Sequence, residues 1–173
     1  SDMNDALRAL SRDELEKLLV IYAKNLVALD GTWFQSLERR EGMDAAMRHD
    51  VEAWRRFSRV EARRIKAFLD LEEHPGLAGL ARALPLRCQS AANADELLFD
   101  EDGALVYRIT DCRVQNARER KGMGFHPCKS VGEVEYGEFA RGIDECIGCE
   151  CLSCFPEATD ATCNCAWRFT LDA

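Results

Sequence analysis

The chain has 173 residues, 47% apolar and 31% charged, the make-up of a globular protein long enough to bury a core without covalent staples. Its 23 basic against 31 acidic side chains leave a net charge of −8, which excludes the basic field that general binding to nucleic acid or an anionic membrane requires. The opening "SDMNDALRALSRDELEKLL" lacks the continuous apolar stretch of a signal sequence, and no apolar run approaches the ~20 residues of a membrane span. The expectation is a cytoplasmic protein whose thiols stay reduced. Nine cysteines, an odd number, also exclude a fully paired disulfide framework.

Ser11 and Glu14 form a capping box, and Leu15, Leu18, Leu19, Tyr22, Leu26 and Leu29 keep helical spacing behind it. The pair Asp30–Gly31 is read as the stop of this helix, with Trp33, Phe34 and Leu37 marking a short second one that ends near Gly42. A long helix follows from about Asp44, with Met47, Val51, Trp54, Ser58, Glu61, Ile65 and Phe68 along one seam. "HPG" at 74–76 breaks it, and Leu77, Leu80 and Leu84 suggest a fourth, short helix. "ELLFDEDGALVYRIT" then reads as a hairpin, and "CRVQNARERKG" as a helix ending at Gly122. Ser130 and Glu133 read as a second capping box, opening a helix over "VGEVEYGEFARG" that Gly142 closes. In the final strand Cys163, Cys165, Trp167, Phe169 and Leu171 fall on one face.

This order predicts an α+β fold: an N-terminal bundle of three to four helices packed on a C-terminal antiparallel sheet with two further helices. One domain over 1–173 is expected, with a helical front at 1–84 and a mixed, cysteine-rich half at 85–173.

"CIGCECLSC", 146–154, holds Cys146-x2-Cys149 and Cys151-x2-Cys154, each with the spacing of a metal knuckle. Thiolate-rich sites select zinc, iron–sulfur clusters or Cu(I). On an extended segment Cys149 and Cys151 share a face while Cys146 and Cys154 take the opposite parity, so a subset must be completed from elsewhere. Cys163 and Cys165 are candidates, although both continue an apolar face on which buried free cysteine is common. Cys112 stands at the start of a helix, where orphan N–H groups favour a thiolate, and reads as a ligand or a nucleophile. Cys128 follows the turn "GMGFHP", which also carries His126, either a solvated imidazole or a ligand.

Glu61 interrupts the apolar seam of the long helix. It either acts as a general acid or base or pairs with Arg64 or another arginine. The basic cluster from Arg113 to Lys121 reads as a solvated helix face or, if it meets the thiols, as a partner for a small anionic ligand.

"DCRVQNARERKG…F.PCKSVGEVEYGEFARGID…C..CFP…CAWRFTL" and the front-half segments "YAKNLVALDGTWF", "GMDAAMRHDVEAWRRF" and "EARRIKAFL" resemble an uncharacterised family of cysteine-rich cytosolic proteins of anaerobic bacteria and archaea. More distantly, the final "C.W.F" strand with its preceding cysteines is similar to the 4-vinyl reductase and aminothiazoline-carboxylate hydrolase-like superfamily. That resemblance implies metal ligands at Cys112, Cys128, Cys151, Cys154 and Cys165. The resulting expectation is a zinc site, or alternatively a [4Fe–4S] cluster, beside a small-molecule pocket. The pocket would serve a hydrolase or reductase of a small anionic substrate, with Glu61 and Cys112 as catalytic candidates. The alternative is a non-enzymatic metal or redox sensor.

Overall fold

The structure, a computed structural model, describes residues 4–171. A short helix, α1 (Asp5–Arg8), precedes the Ser11 capping box, which is formed: Ser11 N–H donates to Glu14 Oε2 at 2.8 Å, and Glu14 N–H donates to Ser11 Oγ at 3.3 Å. It opens α2 (Arg12–Glu41), a single helix of 30 residues. The break expected at Asp30–Gly31 does not occur. The apolar spacing runs on through Leu26, Phe34 and Leu37, and a glycine inside a helix costs only ~1 kcal/mol. The helix ends instead at Gly42, whose φ of 86° is the left-handed stop.

Next come α3 (Met43–Phe68) and α4 (Gly76–Ala83), then two 3-10 turns at Leu84–Leu86 and Ser90–Ala92. On α3 the buried face is Ala45, Ala46, Ser58, Glu61, Ala62 and Ile65, while Phe68 at the end of the expected seam is 80% exposed. The predicted hairpin is β1 (Ala94–Phe99) paired antiparallel with β2 (Leu105–Asp111). Helix α5 (Arg113–Arg120) follows, then α6 (Lys129–Ile143), β3 (Ile147–Cys154) and β4 (Cys165–Leu171). The sheet is antiparallel throughout, in the order β1-β2-β4-β3. The architecture is thus α+β, with the helical front followed by the sheet and two helices.

Three readings around α6 and β3 are corrected. Ser130 lies inside α6, and Cys128 is its N-cap without a side-chain cap bond, so the second capping box is not used. Gly142 does not end the helix. It is a crossing point, where a Cβ would stand 2.6 Å from the Ala62 Cβ of α3. The cysteine-dense segment is no pair of knuckle turns but the edge strand β3, because its alternating residues pair along β4 from Ile147↔Leu171 to Cys154↔Cys165.

Helix α6 is buried on two sides, against α3 and against the sheet. Tyr136 stacks on Trp167 at 4.8 Å between centroids, and Phe139, Ile143, Trp167, Phe169 and Leu105 make the fully buried centre. Such packing leaves no room under Trp167: a Cβ on Gly132 would stand 2.5 Å from its Cζ2.

Gly132→Ala is expected to destabilise the fold by about 1–3 kcal/mol through overpacking. Gly31→Ala, with open surroundings in mid-helix, is expected to stabilise it by up to about 1 kcal/mol. Urea denaturation midpoints of the two variants check both signs.

Candidate functional site

Four thiols from distant parts of the chain reach one end of the sheet. Cys112 is the N-cap of α5, where β2 has just ended; Cys128 is the N-cap of α6; Cys154 closes β3; Cys165 opens β4. Together they line one wall of a cavity of about 270 Å³ enclosed by α2, α3, α5, α6 and the sheet.

Local pairing explains why Cys154 joins this set. The β3–β4 register shifts between Cys151 and Ser153, so Leu152 is an extra residue on β3. Without that bulge, Cys154 would face away from Cys149 and Cys151, as strand parity predicts. With it, Cys154 stands opposite Cys165 on the face of Trp167 and Phe169.

The thiols differ electrostatically. Cys128 Sγ lies 3.4 Å from Cys154 Sγ. The Cys154 hydrogen bond is the main cause pulling Cys128 down to about 7, and Gln115 Nε2 also donates to its sulfur at 3.4 Å. Cys154, interacting with the Cys128 and Cys165 sulfurs and buried, is held well above the ordinary thiol range. Trp167 Nε1–H donates to Cys165 Sγ at 3.3 Å. Cys112 is pushed up to about 12 by burial, which outweighs the Gln115 and Val114 backbone N–H groups at the start of α5. At the start of α5, burial thus outweighs the effect of the helix terminus on the Cys112 thiol.

The opposite wall is acidic and aromatic: Asp30, Asp50, His126 and Glu135, with Phe34 and Trp54. His126 Nε2 is 3.6 Å from Asp50 Oδ2, its ring meets Phe34 edge-on at 4.5 Å, and its buried Nδ1 has no partner. Burial, then the charges of Asp50 and Glu135, raises the Asp30 carboxyl to about 7. Gln115 clamps the loop before α6, donating from Nε2 to His126 O and accepting from His126 N–H, both at 3.0 Å.

The remaining expected residues lie elsewhere. Glu61 is buried outside the cavity wall. It accepts from Arg87 Nε at 3.0 Å and from Cys88 N–H at 2.6 Å, so the arginine-paired alternative is the one observed. Cys151 sits on the inner face of β3 beside Lys129, close enough to interact with Cys128 and Cys165, and burial pushes it up to about 11. Cys163 is on the other side of β4, its Sγ 3.5 Å from Asp160 Oδ2. Of the basic cluster, Arg118 is engaged, with Nη1 and Nη2 on the Glu38 carboxylate at 3.0 and 3.1 Å, while Arg113 and Lys121 reach the cavity wall. The four cavity thiols share a wall without converging on a point. Among the described residues, the set of three His, Cys, Asp or Glu donors within 4.8 Å of one another is His74, Asp144 and Cys146, outside the cavity.

A family profile, that of DUF6125, a family of unknown function, matches residues 8–171. The chain belongs to the DUF6125 family. No curated protein and no solved structure matches it. In this DUF6125 protein the sequence pattern did not mark Asp30, Gln115 or Glu135 as site residues. Gln115 stands one helical turn after Cys112, on the same face of α5, and that i, i+3 spacing was the available signal. Asp30 carried one too, i+4 from Leu26 and i−4 from Phe34, once the helix is read through Gly31.

A carboxyl raised in the folded state binds its proton more tightly folded than unfolded. Asp30 therefore opposes stability increasingly as pH rises from the ordinary carboxyl range to about 7, and equally above it. Asp30→Asn is expected to gain stability over the wild type through that window, by on the order of a few kcal/mol at ~1.4 per pH unit. Urea midpoints of both proteins from pH 4 to 8 check it.

Proposed function

We propose that the DUF6125 chain binds a soft metal on thiolates of Cys112, Cys128, Cys154 and Cys165, with Cys151 at the rim, beside a pocket for a small molecule. Zinc is the first choice, since tetrahedral thiolate sites commonly hold it, and a [4Fe–4S] cluster is the alternative. The observation that carries the reading is the arrival of four thiols from four separate elements on the wall of one cavity. Its support from resemblance is the similarity to the 4-vinyl reductase and aminothiazoline-carboxylate hydrolase-like superfamily.

The residues suit distinct tasks. Cys128 already leans towards the thiolate form, and Gln115 and Trp167 donate hydrogen bonds to the Cys128 and Cys165 sulfurs, an outer layer that orients thiolate ligands. A metal with an open position would act as a Lewis acid towards a bound carbonyl or water. Across the cavity, Asp30 near its titration midpoint at pH 7 and the His126–Asp50 pair are placed to hold or pass a proton. Arg113 and Lys121 would meet the anionic end of a small substrate. The protein would work in the cytoplasm as a hydrolase or reductase.

A second reading, a metal or redox sensor, is favoured by one feature: the 3.4 Å contact of Cys128 with Cys154 is that of a dithiol poised for exchange. Anaerobic purification with elemental analysis and an absorption spectrum separates the two. At the cavity thiols about one zinc and no colour is expected, or a broad brown absorption if a cluster is bound. Cys154→Ser and Cys165→Ser should lose that cavity equivalent and Cys163→Ser retain it. A metal-free protein whose Cys128 and Cys154 oxidise reversibly to a disulfide would support the sensor and overturn the metal centre.

A further inference from the structure

The cysteine at the head of β3 does not join the cavity set. Cys146 is exposed, precedes β3 and turns towards the connection between α3 and α4, where the "HPG" segment carries His74. Between them stands Asp144, only 3% exposed, at the C-terminus of α6. Its Oδ2 accepts from Gly76 N–H at 2.9 Å and its Oδ1 from Cys146 N–H at 3.1 Å, and His74 Nδ1 lies 3.4 Å from Oδ1. One donor atom from each of the three residues falls within 4.8 Å of the other two.

We propose that His74, Asp144 and Cys146 form a second metal site, taking zinc or a zinc-like divalent cation with water in the remaining position. The donor set makes this choice. An imidazole nitrogen, a carboxylate oxygen and a thiolate sulfur together match zinc, whereas magnesium and calcium take oxygen ligands. A His–Asp ion pair would account for two of the groups but gives no reason for the thiol. The thiol comes to the same point because Asp144 Oδ1 fixes the backbone of Cys146 through its N–H.

The setting favours a cation. The buried Asp144 carboxyl is fixed in place by the Gly76 and Cys146 N–H groups, one on each oxygen. The carbonyl end of the α6 dipole points here, and Glu72, Glu73 and Glu145 are exposed nearby. The opposing charge, Lys66, donates to Glu73 O at 2.7 Å and to Ile143 O at 2.6 Å. On binding, Cys146 loses its proton to solvent and no redox change occurs. The ion would clip the α3–α4 connection to the turn between α6 and β3, so its removal would loosen both at once.

Zinc titration of the reduced protein, followed by elemental analysis after desalting and by thermal melting, tests this. His74→Ala and Cys146→Ala alter exposed side chains, and each is expected to lose about one equivalent of zinc and the zinc-induced rise in Tm. Cys154→Ser should keep that equivalent. If His74→Ala and Cys146→Ala bind as much zinc as the wild type with the same rise in Tm, the site is overturned, whatever happens at the cavity. If the wild type binds one equivalent and both variants none, the surface site stands and the cavity centre fails.

Discussion

Arg87 is the charge around which the two halves of the molecule are fitted. It lies in the segment that leads from the helical front to the sheet. It is buried at 3% exposure, with Nε on Glu61 of α3 at 3.0 Å and Nη1 on Glu135 of α6 at 2.7 Å. Its guanidinium lies 4.7 Å from the centre of the Phe139 ring and 5.2 Å from that of Tyr136. A buried pair of this kind adds little net stability over an apolar packing of equal volume, yet loss of one partner strands a charge at a cost of about 3–5 kcal/mol. Its effect is on register: α3, α6 and the crossover segment have one mutual position in which all the charges are met.

That register carries the cavity. Glu135 faces Arg87 and also forms part of the cavity wall, so the network that aligns the helices sets one side of the pocket. The other side is set by the sheet, where the Leu152 bulge turns Cys154 towards Cys165. Cys128 is brought in by the start of α6 and Cys112 by the end of β2, both pinned through Gln115 and its helix. Gln115, the bulge and Arg87 are thus small polar or backbone devices, each fixing one thiol or carboxylate that the apolar core alone would leave free to shift.

The cavity divides its chemistry between two walls. Sulfur gathers where β3 and β4 meet the starts of α5 and α6, and carboxyls come from α2, α3 and α6, with His126 against Phe34 and Asp50. A ligand between the walls would meet soft donors on one flank and a carboxyl that changes charge near neutral pH on the other. Cys146, at the opposite end of β3, belongs to different surroundings, which is why nine cysteines do not make one site.

Local patterns were sufficient wherever a residue's role depends on its chain neighbours. The Ser11 capping box, the hairpin around 100–104, the α5 start at Cys112 and the alternation of Cys165, Trp167 and Phe169 follow from spacing and propensity, and so does the α+β order. Of the five sulfurs that the more distant superfamily resemblance singles out, Cys112, Cys128, Cys154 and Cys165 line the cavity and Cys151 does not. What spacing misread or left open were features whose meaning lies across the fold. Asp30–Gly31 looks like a stop because Gly punctuates chains, but a glycine inside a helix costs only ~1 kcal/mol and α2 runs on to Gly42. Gly142 looks like a cap and is a crossing point against Ala62. Glu61 stays open between an acid–base role and an arginine partner, and spacing cannot name the partner, Arg87, 26 residues later. The residues of "CIGCECLSC" read as knuckles until pairing with β4 makes them a strand. Composition and periodicity decide which elements form; which thiols and carboxylates share a space is decided by strand register and helix crossing, because those contacts join residues that no local spacing relates.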